Sequence, residues 1–367
     1  MNSRRPILLA AGGTGGHLFP AFALAEELKR RGRIVDLVTD ERGDRYGTGF
    51  PGRDIHQVPS ATLASRSVLA AAKTVTTLGR GLFQARSLLN KIRPSAVVGF
   101  GGYPTFPPLV AARMAGIPTL IHEQNAIMGR ANKMLVGHVT ALAASWEGTR
   151  NVPDSAQSKV HVTGNPVRDA VIAASTTPYP SLDAATPVNL LVFGGSQGAK
   201  YFSDTVPPAL SSMPEAQRKR LKITQQCRQE DMERVRAAYV EAGIAAELAP
   251  FFKDLPWRMA ACHLVIARSG ASSVSELAVL GRPSILVPLP HARDNDQLNN
   301  AQRLAEVGGA WFIEQKVLTA SRLSTEIAAL IDSPDRLAAA AHKAKTAGKP
   351  NAVVLLANLV EQLAGAN

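Results

Sequence analysis

The sequence predicts an α/β protein made of two parallel-sheet, Rossmann-like domains, and three observations carry that expectation. Short apolar runs alternate with amphipathic helical stretches along most of the chain, the pattern of strand–helix–strand units in a parallel sheet. A glycine-rich turn, Gly12-Gly13-Thr14-Gly15-Gly16, follows the first apolar run, and a second, Gly194-Gly195-Ser196-Gln197-Gly198, follows an equivalent run halfway along. At 367 residues the chain is long for one domain and ample for two that each bury a core.

In chain order, residues 7–11 form a doubly buried strand, and residues 20–31 a helix with Phe22, Ala25 and Leu28 on one face. The four glycines between them remove the Cβ atoms that would keep a ligand off the backbone. The free N–H groups of the helix start favour an anion, a phosphate above all. The turn lacks the third glycine of a dinucleotide fingerprint, whose place is Leu18, and it lacks the Gly-Lys-Ser/Thr of a P-loop. A plain tight turn needs only one or two glycines. His17 follows as an imidazole able to take a proton from whatever binds.

Residues 34–39 read as a second strand and 67–92 as a helix, with Val68, Ala72, Val75, Leu82 and Leu89 at helical spacing. Arg66, Lys73 and Arg80 recur every seven residues and make a basic stripe beside Leu78 and Phe83. Strands at 95–100 and 117–122 run into Gly101-Gly102-Tyr103 and His122-Glu123-Gln124-Asn125, and a strand at 160–163 precedes Gly164-Asn165-Pro166-Val167-Arg168. Residues 174–187, rich in Ser, Thr, Pro and Ala, read as a linker between domains at 1–173 and 188–350. Strands at 188–193, 221–225, 264–267 and 284–288 follow. The 264–267 strand opens onto Arg268-Ser269-Gly270 and a helix carrying Glu276, and residues 351–367 hold a last helix that crosses back to the first domain. Ligands of open parallel sheets bind at the carboxyl ends of the strands, so these loops crowd one edge of each domain, with the two domains facing across a cleft.

Residues 1–180 hold 21 Lys/Arg against 11 Asp/Glu, and residues 181–367 hold 20 against 18, so nearly all of the net charge of +12 lies in the first half. No carboxylate occurs between Asp54 and Glu123, whereas seven Lys/Arg do, which suits an anionic surface of lipid or nucleic acid. A nucleic-acid-binding protein would account for the charge, but it leaves the glycine turns and Glu276 without a task and lacks interleaved aromatics, Tyr103 standing alone. Cys227 and Cys262 have no metal or redox spacing and fit a reduced compartment, and His138 and His263 sit in apolar runs as core histidines. No run of about 18 apolar residues is present to span a membrane, and the apolar run ending at Gly12 is too short for a signal peptide.

Two phosphate-type turns in facing domains suggest two phosphorylated molecules, and a nucleotide-sugar glycosyltransferase fits. Its chemistry needs positive potential on the departing nucleoside diphosphate and a base on the acceptor hydroxyl. Helix N-termini with Arg168 or Arg268 meet the first need. His17 is the candidate base, with Glu123 able to hold or replace it. Glu276 suits a ribose diol, or else opposes the helix dipole from the first turn. Asp294-Asn295-Asp296 has the spacing of a metal clamp, but helix dipoles and arginines are available for the diphosphate, so no metal is expected.

Seven motifs in order, between residue 7 and about residue 315, carry a resemblance: Gly12 to His17 with Phe19-Pro20; Gly101 to Tyr103; His122 to Asn125; Gly164 to Arg168; Gly194 to Ala199; Arg268 to Gly270 with Glu276; and Gln297 with Asn300-Ala301. Together they resemble the MurG family of peptidoglycan glycosyltransferases. The resemblance implies the GT-B fold and inverting, metal-independent transfer of N-acetylglucosamine from UDP-N-acetylglucosamine to the muramoyl C4 hydroxyl of lipid I, with no cofactor. It implies that Glu276 holds the ribose, that Phe252 holds the uracil through its backbone, and that Ser196 and Arg168 hold the donor phosphates. Asn125 and Gln297 would read amino-sugar hydroxyls. Thr14, Gly15, Gly16, His17, Gln197, Arg268, Ser269 and Gly270 would complete the donor contacts, while Gly13, Thr14, Gly101, Gly102, Tyr103 and His17 would face the acceptor diphosphate. A membrane patch would fall on Lys73, Val75, Leu78, Arg80, Leu82 and Phe83, placing the chain peripherally on the cytoplasmic face of the plasma (inner) membrane, with cell-wall synthesis proteins as partners. Asp296 departs from the His or Gln of relatives. A UDP-N-acetylglucosamine 2-epimerase shares the fold but needs no lipid acceptor.

Overall fold

The computed structural model describes residues 5–12, 15–40, 49–59, 68–183, 185–195 and 198–365, without the side chains of 68–76, 78 and 293. The chain divides into two compact units, Met1–Arg168 with Pro350–Asn367, and Asp169–Lys349.

The first unit is built on seven parallel strands: β1 (Ile7–Ala10), β2 (Val35–Thr39), β3 (Ile55–Gln57), β4 (Ala96–Gly99), β5 (Thr119–Glu123), β6 (Ala141–Ala144) and β7 (Val160–Val162). Their order is β3-β2-β1-β4-β5-β6-β7. Side chains of β1 alternate between two cores. Ile7 and Leu9 pack with Leu24 and Leu28 of the Gly15–Arg30 helix and with Leu356 and Val360 of the Ala352–Gly365 helix. Leu8 and Ala10 pack with Leu89 of the Val68–Ile92 helix and Leu109 of the Phe106–Met114 helix. Arg31 fastens the C-terminal helix, donating to Glu361 at 2.9 Å and to Asn358 Oδ1 at 2.7 Å.

The first helix starts at Gly15, inside the glycine turn, rather than at Pro20. Pro20 therefore falls inside the helix, where it has no N–H to donate to the preceding turn. Strand β6, an Ala/Leu run without β-branched residues, carried no strand signal.

The second unit has six parallel strands: β8 (Val188–Phe193), β9 (Leu221–Gln226), β10 (Ala245–Ala249), β11 (Leu264–Ala267), β12 (Ser284–Leu286) and β13 (Ala310–Phe312). They are ordered β10-β9-β8-β11-β12-β13. Val188, Leu190 and Val192 share a core with Phe202, Val206 and Leu210 of the Lys200–Ser211 helix and with Leu323 and Ile327 of the Ala320–Ile331 helix.

The stretch expected as a linker is hydrogen-bonded to this unit. Arg282, 1% exposed, donates to the carbonyls of Thr177 and Pro178 at 3.1 Å each; Lys345 donates to Ser175 O at 2.7 Å and the Tyr179 hydroxyl to His263 O at 2.9 Å. Its Ser/Pro composition reports the lack of regular structure, not a lack of partners.

Candidate active site

In the first sheet β1 lies between β2 and β4, so the chain runs outward in both directions from the β1/β4 pair, and in the second sheet from the β8/β11 pair. Those are the switch points at which doubly wound sheets take ligands, and each receives one glycine turn.

At the first switch point the Phe100 N–H donates to Ala10 O at 2.8 Å and the Gly12 N–H to Gly101 O at 3.1 Å, which binds the two turns together. Gly101 and Gly102 have φ of +90° and +80°, a region that side chains avoid. The half-buried His17 imidazole fills the space that these glycines leave. A Cβ on Gly12 would lie 3.3 Å from His17 Nδ1, and a Cβ on Gly101 3.3 Å from Nε2. Gly13 and Thr14 fall outside the described residues, as do Ser196 and Gln197.

The β5 loop is laced to the same place. Gln124 Nε2 donates to Phe100 O at 2.8 Å. Glu123 is buried, and its carboxylate accepts four N–H groups: the Asn125 backbone N–H (3.0 Å) and Nδ2 (3.2 Å), the Gly129 backbone N–H (2.9 Å) and Asn132 Nδ2 (2.8 Å). Burial pushes its carboxyl pKa up and those four donors oppose the rise. Tyr103, half-buried, opens a short 3₁₀ turn. Arg168 stands over the ring of Phe19, 5.6 Å from its centroid, which brings the Gly164–Arg168 motif against the first helix.

His122 is fully buried beside Phe100, with Nε2 3.0 Å from Gly164 O, and burial lowers its pKa to about 4. The neutral ring therefore donates its Nε2–H to that carbonyl. Because the folded value lies below the ordinary 6.5, the neutral ring's contribution to stability is complete above pH 6.5 and is lost as pH falls toward 4. The loss amounts to about 3 kcal/mol. Urea unfolding of His122→Gln should therefore show a smaller loss of stability from pH 7 to pH 4 than wild type; equal losses would contradict the assignment.

At the second switch point the Gly194 N–H donates to Gln226 Oε1 at 3.0 Å, and Gln226 Nε2 donates to Gly195 O (3.0 Å) and Pro250 O (3.2 Å). Gln226 thus joins the glycine turn to the loop carrying Phe252. The Phe252 ring is buried under the Arg258 guanidinium, 4.4 Å from its centroid, and its backbone takes no part in the loop and turn hydrogen bonds among the described residues. Gln226 carried only a weak sequence signal, a polar pair closing the alternating run Leu221-Lys222-Ile223-Thr224.

Gly270 caps the Ala271–Leu280 helix without a side-chain cap, leaving the first N–H groups of the helix to a ligand. Glu276 is buried in the second turn of that helix. It stands beyond the first turn, so the helix dipole does not account for it. Ser269 Oγ donates to Gln297 O at 2.8 Å, and Asn300 Nδ2 donates to Ser269 O at 3.2 Å. Gln297 Oε1 accepts the Leu289 N–H at 3.0 Å, and Nε2 is the donor end of the same carboxamide. Asp296 Oδ1 accepts the next backbone N–H, of Gln297, at 2.6 Å.

Arg268 is held from within, contrary to the expectation of an anion-facing arginine. Its Nη1 donates to Val287 O (3.0 Å) and Pro288 O (3.2 Å), its Nη2 donates to Gln315 Oε1 (2.6 Å), and its guanidinium lies over the Tyr201 and Phe202 rings. It braces the loop after β12.

Two of the histidines expected in a core differ in fate. His263 is buried, with Nδ1 accepting the Asn189 N–H at 3.0 Å. His138 is exposed at the rim of an apolar groove lined by Phe106, Val110, Met114 and Met134. Next to it Phe83 is 76% and Met114 68% exposed, and Leu82 and Arg86 line the adjoining groove, with Arg80 exposed on the same helix. The side chains of Lys73, Val75 and Leu78 lie outside the described residues.

Residues 7–144 match the glycosyltransferase family 28 N-terminal domain, and residues 189–356 match the family's C-terminal domain. The chain belongs to glycosyltransferase family 28. This family-28 chain is 52% identical over 362 residues, 99% of its length and 96% of the relative's, to the Mesorhizobium japonicum UDP-N-acetylglucosamine--N-acetylmuramyl-(pentapeptide) pyrophosphoryl-undecaprenol N-acetylglucosamine transferase. It is 54% identical over 360 residues, 98% of this chain and 95% of the relative, to the Sinorhizobium fredii protein of the same name. The crystal structure of Acinetobacter baumannii MurG matches with a TM-score of 0.80 at 29% identity, covering 97% of this family-28 chain and 99% of that one. The two parallel-sheet domains are those of the GT-B fold.

Proposed function

We propose that this family-28 chain moves N-acetylglucosamine from UDP-N-acetylglucosamine to the C4 hydroxyl of the N-acetylmuramoyl unit of lipid I, with inversion, giving lipid II. Relatives more than half identical over nearly the whole chain are named as that transferase. The structural observation that carries the reading is the pair of glycine turns at two switch points, one enclosing His17 and the other neighbouring the helix of Glu276.

The donor UDP takes the second domain. Open N–H groups at the start of the Ala271–Leu280 helix and the Gly194–Gly198 turn, with Ser196 and Gln197, meet the diphosphate, joined by Arg168. Glu276 accepts from the ribose hydroxyls. The Phe252 N–H and C=O pair with uracil, since the Phe252 ring is occupied by Arg258. Gln297 offers Nε2–H to a sugar oxygen, Asn125 reads the amino sugar, and Ser269 and Arg268 act by holding the loops that bear these groups. The acceptor diphosphate takes the first domain, at the Gly12–Gly16 turn and Gly101-Gly102-Tyr103.

In the reaction a ring nitrogen of His17 takes the proton of the C4 hydroxyl as its oxygen bonds to the anomeric carbon. The bond from that carbon to the β-phosphate oxygen breaks, and its electron pair departs with UDP. Glu123, saturated by four N–H donors, holds the loop behind and is not the base. Helix N–H groups and Arg168 meet the leaving charge, so transfer proceeds in chelator. A 2-epimerase of the same fold needs no acceptor and gives the exposed basic, apolar face of the first domain no task.

That face, with Arg80, Leu82, Phe83, Arg86 and Met114, we assign to an anionic membrane surface, where lipid I resides, on the cytoplasmic side. Phe83→Ser and Arg80→Glu should each reduce sedimentation with acidic vesicles, and raising salt to about 1 M should release the wild type. Binding indifferent to lipid charge would remove the assignment. The transferase reading is tested by UDP release in the presence of EDTA. Release should require a short-chain lipid I analogue, and UDP formed equally fast without it would overturn the reading.

A further inference from the structure

Behind the loop bearing Asn125 lies a polar knot that the reaction scheme does not use. Asn132, on the Arg130–Leu135 helix and 3% exposed, donates Nδ2 to Glu123 Oε2 at 2.8 Å and to His122 O at 3.1 Å. Glu123, 1% exposed, passes this hold forward, for its other oxygen receives both the backbone N–H and the Nδ2 of Asn125. Two bonds from one residue to one oxygen fix the plane of the Asn125 carboxamide as well as its position. Four N–H donors suit an ionised carboxylate; a protonated one would turn an O–H against an N–H.

Asn132 Oδ1 is buried and has no hydrogen-bond partner among the described residues, which costs stability that an apolar side chain of similar size would not. Packing alone therefore does not account for an amide at this place; its N–H₂ does. We propose that Asn132 is a positioning residue for sugar transfer, setting through Glu123 the orientation in which Asn125 meets the amino sugar. The proposal rests on the reading that Asn125 contacts the donor sugar.

The test uses the full chain, steady-state kinetics with UDP-N-acetylglucosamine and a lipid I analogue, and calorimetric binding of UDP, which lacks the sugar. Asn132→Asp sets a carboxylate against Glu123 and should lower kcat/KM for the donor roughly 10- to 100-fold, as expected for a displaced substrate contact. UDP affinity should stay within about twofold of wild type, because the nucleotide is bound by other residues. Asn132→Ser, which removes the hold without adding charge, should show the same split between donor kcat/KM and UDP affinity if the Asp variant fails to fold.

Wild-type donor kcat/KM in both single variants, or a loss shared equally by UDP binding, would overturn the proposal. If the wild type itself moves no sugar, the reading of the reaction fails instead, so the two failures are distinct.

Discussion

Replacing His17 by alanine is expected to lower kcat by roughly 10²- to 10⁴-fold, the range for removal of a general base, while the donor KM stays within about twofold of wild type. The prediction follows from the enclosure of the ring. Gly12, Gly101 and Gly102 each approach the imidazole so closely that a Cβ on any of them would lie within 3.4 Å of a ring atom. A histidine framed this closely by glycines is pre-oriented for one proton transfer. Glu123, the other candidate, is already engaged by four donors from its own neighbourhood. Gly101→Ala should reproduce part of the His17 effect by crowding Nε2 at a φ that alanine avoids. A His17→Ala enzyme with unchanged kcat, measured under saturating acceptor, would remove histidine from the chemistry.

Glu276→Ala should act on the other side of the ledger of constants, raising the donor KM by roughly 10- to 100-fold with the acceptor KM unchanged. A carboxylate accepting from a ribose diol makes charge-assisted hydrogen bonds of about 1.5–3 kcal/mol each, and truncation removes both. The side chain is buried in the second turn of its helix, so dipole compensation is not its reason for being there. Glu276→Gln, with one uncharged acceptor oxygen in place of a carboxylate's two, should fall between. Equal changes in both KM values would mean that the residue supports the fold and not the ribose.

Much of this architecture was legible in the residues because the signals were local. The run at 7–10 is apolar on both faces and that at 188–193 is so but for Asn189, and glycines crowd the place where strand becomes helix, so the parallel sheets and their ligand edges could be read directly. What stayed hidden was relational. That His17 is framed by glycines 84 and 85 positions away depends on β1 lying beside β4, which the sequence of β1 does not encode. Arg268 sits in a motif that reads as anion-facing, yet its guanidinium turns inward because carbonyls of residues 287 and 288 and the side chain of Gln315 lie within reach. The stretch from 174 looked like a linker because Ser, Thr and Pro make no regular structure, and its straps, Arg282 and Lys345, are more than 100 positions downstream. Weak strands such as β6 and β13 are short or alanine-rich and are fixed by pairing with neighbours.

Single displacement of UDP by an acceptor hydroxyl inverts the anomeric carbon, and proton NMR of the product formed from α-linked UDP-N-acetylglucosamine and a lipid I analogue tests this most directly. A new anomeric signal with the large coupling of a β-linked sugar, appearing together with free UDP, is the predicted result. An α-linked product, or conversion of the nucleotide sugar to its 2-epimer with the acceptor untouched, would contradict it.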